Sequence, residues 1–124
     1  MPELKTKDGH QIYFDAGRIA LVLADGAGAA IFGVLKGAIQ VTEPPEAVLA
    51  GLGLTRDFVA LTLPGNSHVW IKVALVMALR DPVKDEYPAA IKTVVVLDSA
   101  IDRYGVTEPM TAAADALKKA GAKL

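Results

Sequence analysis

The tetrapeptide Val-Thr-Glu-Pro occurs twice in this chain, at residues 41–44 and 106–109. Each copy closes an apolar run and opens a segment with helical spacing. A four-residue match means little alone, but its context repeats too. In the first half, 4–7 reads as a strand and Asp8-Gly9 as a hairpin turn. Further strands are expected at 10–14, 18–23, 30–35 and 38–41, with a turn at Lys36-Gly37. Thr42 is placed to cap a helix whose first turn holds Glu43, Pro44, Pro45 and Glu46, and Gly51 and Gly53 end it. In the second half, strands are expected at 58–63, 68–72, 74–79 and 91–97, with a weaker one at 105–106. Thr107 is then the expected cap of a helix over 108–120, ended by Gly121.

The two orders match: strand, turn, strand, strand, loop, strand, turn, strand, helix. Gly9 pairs with Gly65 and Val41 with Val106, and the difference in spacing falls on the loop around residues 82–88. The sequence therefore predicts an α+β chain that is a tandem duplication of a small antiparallel β-rich unit, each copy ending in a helix. The units are 1–54 and 58–121 of one compact domain. A unit of about 55 residues lies near the lower limit for independent stability. Two such units gain by burying apolar faces against each other, as an internal pseudo-dimer of two packed sheets or one shared sheet.

Composition narrows the partners. The 124 residues are 52% apolar but only 6% aromatic, which suits close packing of thin elements. Formal net charge is −1, against the basic surplus of a nucleic-acid binder. The densest basic cluster, Lys118, Lys119 and Lys123, suits the negative end of the last helix. There is no cysteine, so disulfides and thiol chemistry are out, and a cytoplasmic location is expected. The charged start lacks the apolar stretch of a secretory signal. Mean hydropathy is positive and residues 58–79 are almost uncharged, but Pro64-Gly65-Asn66-Ser67 interrupts them. The run reads as two strands around a turn, and no membrane span is expected.

The first half resembles the small FlbD-type proteins associated with flagellar regulation. The stretches that carry it are Ile12-Tyr-Phe-Asp-Ala-Gly-Arg-Ile19, Val34-Leu-Lys-Gly37 and Val41-Thr-Glu-Pro-Pro-Glu-Ala-Val48. Asp15 and Lys36 stand where the family pattern has asparagine. The second half keeps the order of elements but not those residues. The resemblance covers about 40 residues and implies a small accessory or regulatory protein; it carries over no catalytic residue.

No arrangement here has catalytic or metal-ligand spacing. His10 and His68 each begin a returning strand after a turn, without the three or four ligands zinc takes. Asp98 and Asp102 could divide acid and base roles only in unlike environments, and aspartate is common in turns. Asp25-Gly-Ala-Gly-Ala29 is followed by a strand pattern, not the helix a dinucleotide site needs. The best candidate is an aromatic pair. Aligning Ile12 on Val69 brings Tyr13 onto Trp70, and period-two alternation puts both rings on the face opposite Ile12, Phe14, Val69 and Ile71. Large aromatics on matched outer faces can anchor a partner, unless a helix of the other unit covers them.

These readings favour a non-enzymatic binding or regulatory protein, with no cofactor, acting through its surface on a protein partner or by self-association into a homo-oligomer. A small-molecule pocket or enzyme site between the units, built from His10, His68, Asp98, Asp102 or Arg103, is one alternative. A structural assembly subunit is the other.

Overall fold

The computed structural model describes residues 3–35, 37–65, 67–83, 85–99 and 103–124. Lys36, Asn66 and Asp102, which figured in the expected turns and the carboxylate pair, lie outside them. The chain is α+β, with ten strands and two α-helices among the described residues. β1 (Glu3–Lys5) and β2 (Gln11–Tyr13) form a hairpin, and a 3-10 turn (Ala16–Arg18) follows. Next come β3 (Leu21–Asp25), β4 (Gly28–Phe32), β5 (Ile39–Val41) and helix α1 (Pro45–Gly51). The second half runs β6 (Phe58–Thr62), β7 (His68–Lys72), a 3-10 turn (Val73–Leu75), β8 (Val76–Arg80), β9 (Thr93–Leu97), β10 (Arg103–Val106) and helix α2 (Met110–Lys119).

All pairing is antiparallel, in sheets of order β1-β2, β10-β9-β8 and β5-β4-β3-β7-β6. The registers of the two halves run alike at several pairs, although β8 has a register shift between Val76 and Ala78 that β3 lacks. Leu4 faces Ile12 as Leu61 faces Val69. Leu21 faces Phe32 as Ala78 faces Val96, and Ile31 faces Ile39 as Val95 faces Tyr104. Leu23 and its partner Ala30 are joined by a tight turn at Gly26, whereas their counterparts Arg80 and Val94 flank the long 81–92 connection.

The five-stranded sheet is the junction, because β3 of the first half pairs with β7 of the second. Leu21 lies opposite Ile71, Val22 opposite Trp70 and Leu23 opposite Val69. Side chains alternate across a strand, so this sheet has two apolar faces. Val22, Ile31 and Val41 enter a cluster with Phe14 of β2's end and Val48 and Leu49 of α1. Leu21, Val69 and Ile71 enter a second cluster with Val95, Leu97 and Val106, and Ala116 of α2 packs against it. Each half also curls so that its hairpin reaches its last strand. Thr6 bridges Val41, and the Thr42 amide donates to the Lys5 carbonyl at 3.3 Å. Correspondingly, the Thr107 amide donates to the Thr62 carbonyl at 2.8 Å.

The repeated tetrapeptide acts differently from expectation. Neither Thr42 nor Thr107 is a helix cap; the cap positions are Pro44 and Pro109, without side-chain cap bonds. A residue before proline is pushed out of the helical region; Glu43 and Glu108 lie in bends, Pro44 and Pro109 hold ψ of 159° and 154°, and each helix starts later than its threonine. In the second half the freed groups form a clasp. The Thr107 hydroxyl donates to the Thr62 carbonyl at 3.1 Å, and both Glu108 carboxylate oxygens accept from the Thr62 amide at 2.9 Å. The hydroxyl of Thr93, fully buried, donates to the Glu108 carbonyl at 2.8 Å. Glu43 is exposed. The expected strands at 18–23 and 74–79 also shift, since each is preceded by a 3-10 turn and begins three residues later or two residues later respectively. In the first turn the Asp15 carboxylate accepts from the Gly17 amide at 2.9 Å, which holds the chain out of the sheet.

Glu108→Ala is expected to cost about 1–3 kcal/mol, since it orphans a part-buried amide. Glu43→Ala should stay within about 0.5 kcal/mol. Urea unfolding of both variants measures the contrast.

Candidate functional site

The long 81–92 connection closes over β10 to form an open cleft of about 460 Å³. One wall is Tyr87, Pro88 and Ile91 of the connection. The other is Arg103, Tyr104 and Gly105 of β10, and Leu63 and Pro64 of the β6–β7 turn form the end. Gly105 is what lets the walls approach. A Cβ there would stand 2.9 Å from Ile91 Cγ2 and 3.1 Å from Tyr87 Cδ1, inside van der Waals contact. The Tyr87 ring therefore lies against bare backbone. Tyr104 is half-buried against the second cluster, and burial pushes its phenol above the usual tyrosine value. Asp85, in the connection, holds a left-handed φ of 72°, a conformation aspartate tolerates better than most residues.

A second open cleft, about 450 Å³, lies beside the β1–β2 turn and is lined by Thr6, Asp8, His10 and Ile39 among others. The Thr6 hydroxyl donates to the Asp8 carboxylate, which holds that carboxyl below its usual value, with a smaller contribution from His10. His10 Nε2 stands 3.9 Å from Asp8, and both side chains are mostly in solvent. This is a solvated turn in which a hydroxyl and a charge satisfy local groups.

The sequence candidates scatter. His10 lines the second cleft and Arg103 the first, while His68 and Asp98 line neither. None of the four best-formed clefts gathers two of His10, His68, Asp98 and Arg103, and among the described residues no cluster of three potential metal ligands occurs. The Gly-x-Gly at Gly26 and Gly28 is a tight β3–β4 turn. Gly28 is needed because a Cβ there would meet the Val41 carbonyl oxygen at 2.1 Å. No described helix is long and apolar enough to cross a membrane.

Tyr13 and Trp70 hold matched positions, opposite Glu3 and Ala60 in their hairpins. Their surroundings differ. Trp70 is half-buried, packs against the first cluster, and has the His68 ring 5.9 Å away at 52°. Tyr13 is 59% exposed. Trp70 has β3 beside it, with Val22 directly opposite.

The sequence marks the 82–88 loop as the main difference between the halves, but of the cleft residues it offers only Arg103 as a site candidate, and that for a pocket between the units. The signal available was Gly105, because a glycine inside a strand often marks a close approach.

Trp70→Ala is expected to destabilise the fold by about 2–3 kcal/mol, below the full core value because the ring is half-buried. Tyr13→Ala should change stability by less than about 0.5 kcal/mol. Denaturant midpoints test this. For Tyr104, a raised phenol value means that the neutral form is the one the fold favours. Its contribution is intact below pH about 10 and is lost as pH rises through the higher folded value. Tyr104→Phe should flatten that alkaline loss in melting curves taken against pH.

No family model, curated protein or solved structure matches this chain.

Proposed function

We propose that this protein is a non-enzymatic binding or accessory protein, built by tandem duplication of a FlbD-like unit within one domain, that works through its surface. The cleft beside β10 carries the reading. It is open, mainly apolar, flanked by two tyrosines and two prolines, and shaped by a glycine that seats one ring. Such a cleft suits an apolar or proline side chain on an extended segment of a protein partner, since aromatic anchors with few rotatable bonds lose little entropy on binding. The duplication reading is supported by the strand registers that run alike, and the long 81–92 connection is where the second unit departs from the first. On this reading the first unit keeps the ancestral arrangement and the second has acquired the docking surface. Tyr13 offers a further exposed aromatic contact on the first unit, and Trp70 contributes chiefly by packing. The near-neutral charge and lack of cysteine suit a cytoplasmic partner protein.

The test is selection of random peptides on the intact protein, followed by affinity measurement. Selected peptides should carry apolar or proline anchors and lose about tenfold or more in affinity on Tyr87→Ala, as for loss of a central anchor. Equal binding to wild type and Tyr87→Ala, with both folded, would remove the cleft from the function.

A further inference from the structure

The 81–92 connection forms a second open cleft next to the one beside β10. It holds about 440 Å³ and is lined by Pro82, Val83 and Asp85 together with Tyr87, Pro88 and Ile91. Those last three line the first cleft as well, so the two clefts adjoin, and Tyr87 and Pro88 stand where they meet. Tyr87 is half-buried there, with its ring against the Gly105 backbone. Val83 is 38% exposed on the second cleft. The described lining of the pair is mostly proline, tyrosine and branched aliphatic side chains. Each cleft has one charged residue among them, Asp85 in the second and Arg103 in the first.

The connection is built to hold this shape. Asp81 and Tyr87 each precede a proline, which biases both toward extended backbone. Two turns follow. The Glu86 amide donates to the Val83 carbonyl at 3.1 Å, and the Ile91 amide donates to the Pro88 carbonyl at 3.0 Å. Asp85 lies within the first turn at φ 72°, the only positive φ of a non-glycine among the described residues. A surface formed before binding loses less entropy when a partner docks.

Two adjoining apolar clefts that share an aromatic ring suit a ligand with apolar side chains at regular spacing. A polyproline II segment meets that need. It has about three residues per turn and no internal hydrogen bonds, and such segments dock in grooves lined by aromatic side chains. Charge selects what flanks the anchors. Asp85 presents an exposed carboxylate, which suits a cation of the ligand. The first cleft already has Arg103, so that cation is placed at the Asp85 end.

We propose that the paired clefts take a proline-rich segment of a protein partner in the polyproline II form. One apolar anchor enters each cleft, and a lysine or arginine of the segment lies against Asp85. This rests on the cleft-binding reading above and narrows it to one class of partner.

The test measures binding of labelled peptides to the intact protein by fluorescence anisotropy. The probe is Pro-Leu-Pro-Pro-Leu-Pro followed by Arg-Arg, and its twin ends in Glu-Glu. The Arg-ended probe should bind the tighter of the two. Tyr87→Ala, with unchanged circular dichroism, should weaken it by about tenfold or more. Asp85→Asn removes the charge and keeps a residue that tolerates left-handed backbone. It should weaken the Arg-ended probe by about threefold, as for one exposed ion pair, and leave the twin no weaker. Failure of the Arg-ended probe to bind overturns the inference. Selected peptides without proline that depend on Tyr87 would then leave the broader cleft reading standing. Equal binding of the Arg-ended probe to wild type and Tyr87→Ala overturns both. Equal binding to wild type and Asp85→Asn overturns the inference by removing its charge contact.

Discussion

The pairing of β3 with β7 is the constraint on which the rest of the structure depends. It makes strands from both halves into one sheet and gives that sheet two apolar faces. Val22 and Trp70 then serve the first cluster, while Leu21, Leu23, Val69 and Ile71 serve the second. Without the seam, each half would be a small roll with an open edge and a core of mostly alanine, valine and leucine. Rolls of that size bury too little surface to stand alone. Lys72, at the end of the seam, donates from its backbone to Ala20 and from its side chain to the Gly17 carbonyl at 2.6 Å, which ties β7 to the turn before β3.

The two Val-Thr-Glu-Pro segments show how one sequence pattern can take on two structural jobs. In both, the proline after glutamate is itself non-helical, takes the cap position and sets where the helix begins. In the second, Thr107 and Glu108 also satisfy the edge of β6 and reach Thr93. In the first, only the backbone contact from Thr42 to Lys5 corresponds. The second half thereby holds β6, β9 and α2 together with polar bonds. Its hairpin can then carry the long 81–92 connection without losing its anchor.

Much of the fold was legible because it depends on local chemistry. Alternating apolar residues located the strands, and glycine and proline located most turns; β7 at His68–Lys72 agrees residue for residue. The long connection between β8 and β9 was also legible, from its prolines and charged residues. The threonine caps were misread, because the effect of the following proline on the preceding residue outweighed the preference of threonine for a cap. The starts of β3 and β8 were misread because a 3-10 turn of three residues has no hydrophobic period of its own. The cleft was not legible, since it forms from a turn, a connection and a strand that are distant in sequence; Gly105 signals a close approach but not which segment makes it.

By itself the sequence determined the α+β class, the order of elements and the absence of thiol chemistry. These follow from residue spacing and from which atoms are present. Only the tertiary structure decided which strand edge meets which. Edge pairing depends on backbone groups that every residue carries, so no side-chain pattern records it. That choice half-buries Trp70 against the first cluster, whereas Tyr13, at the matched position of the first hairpin, is 59% exposed.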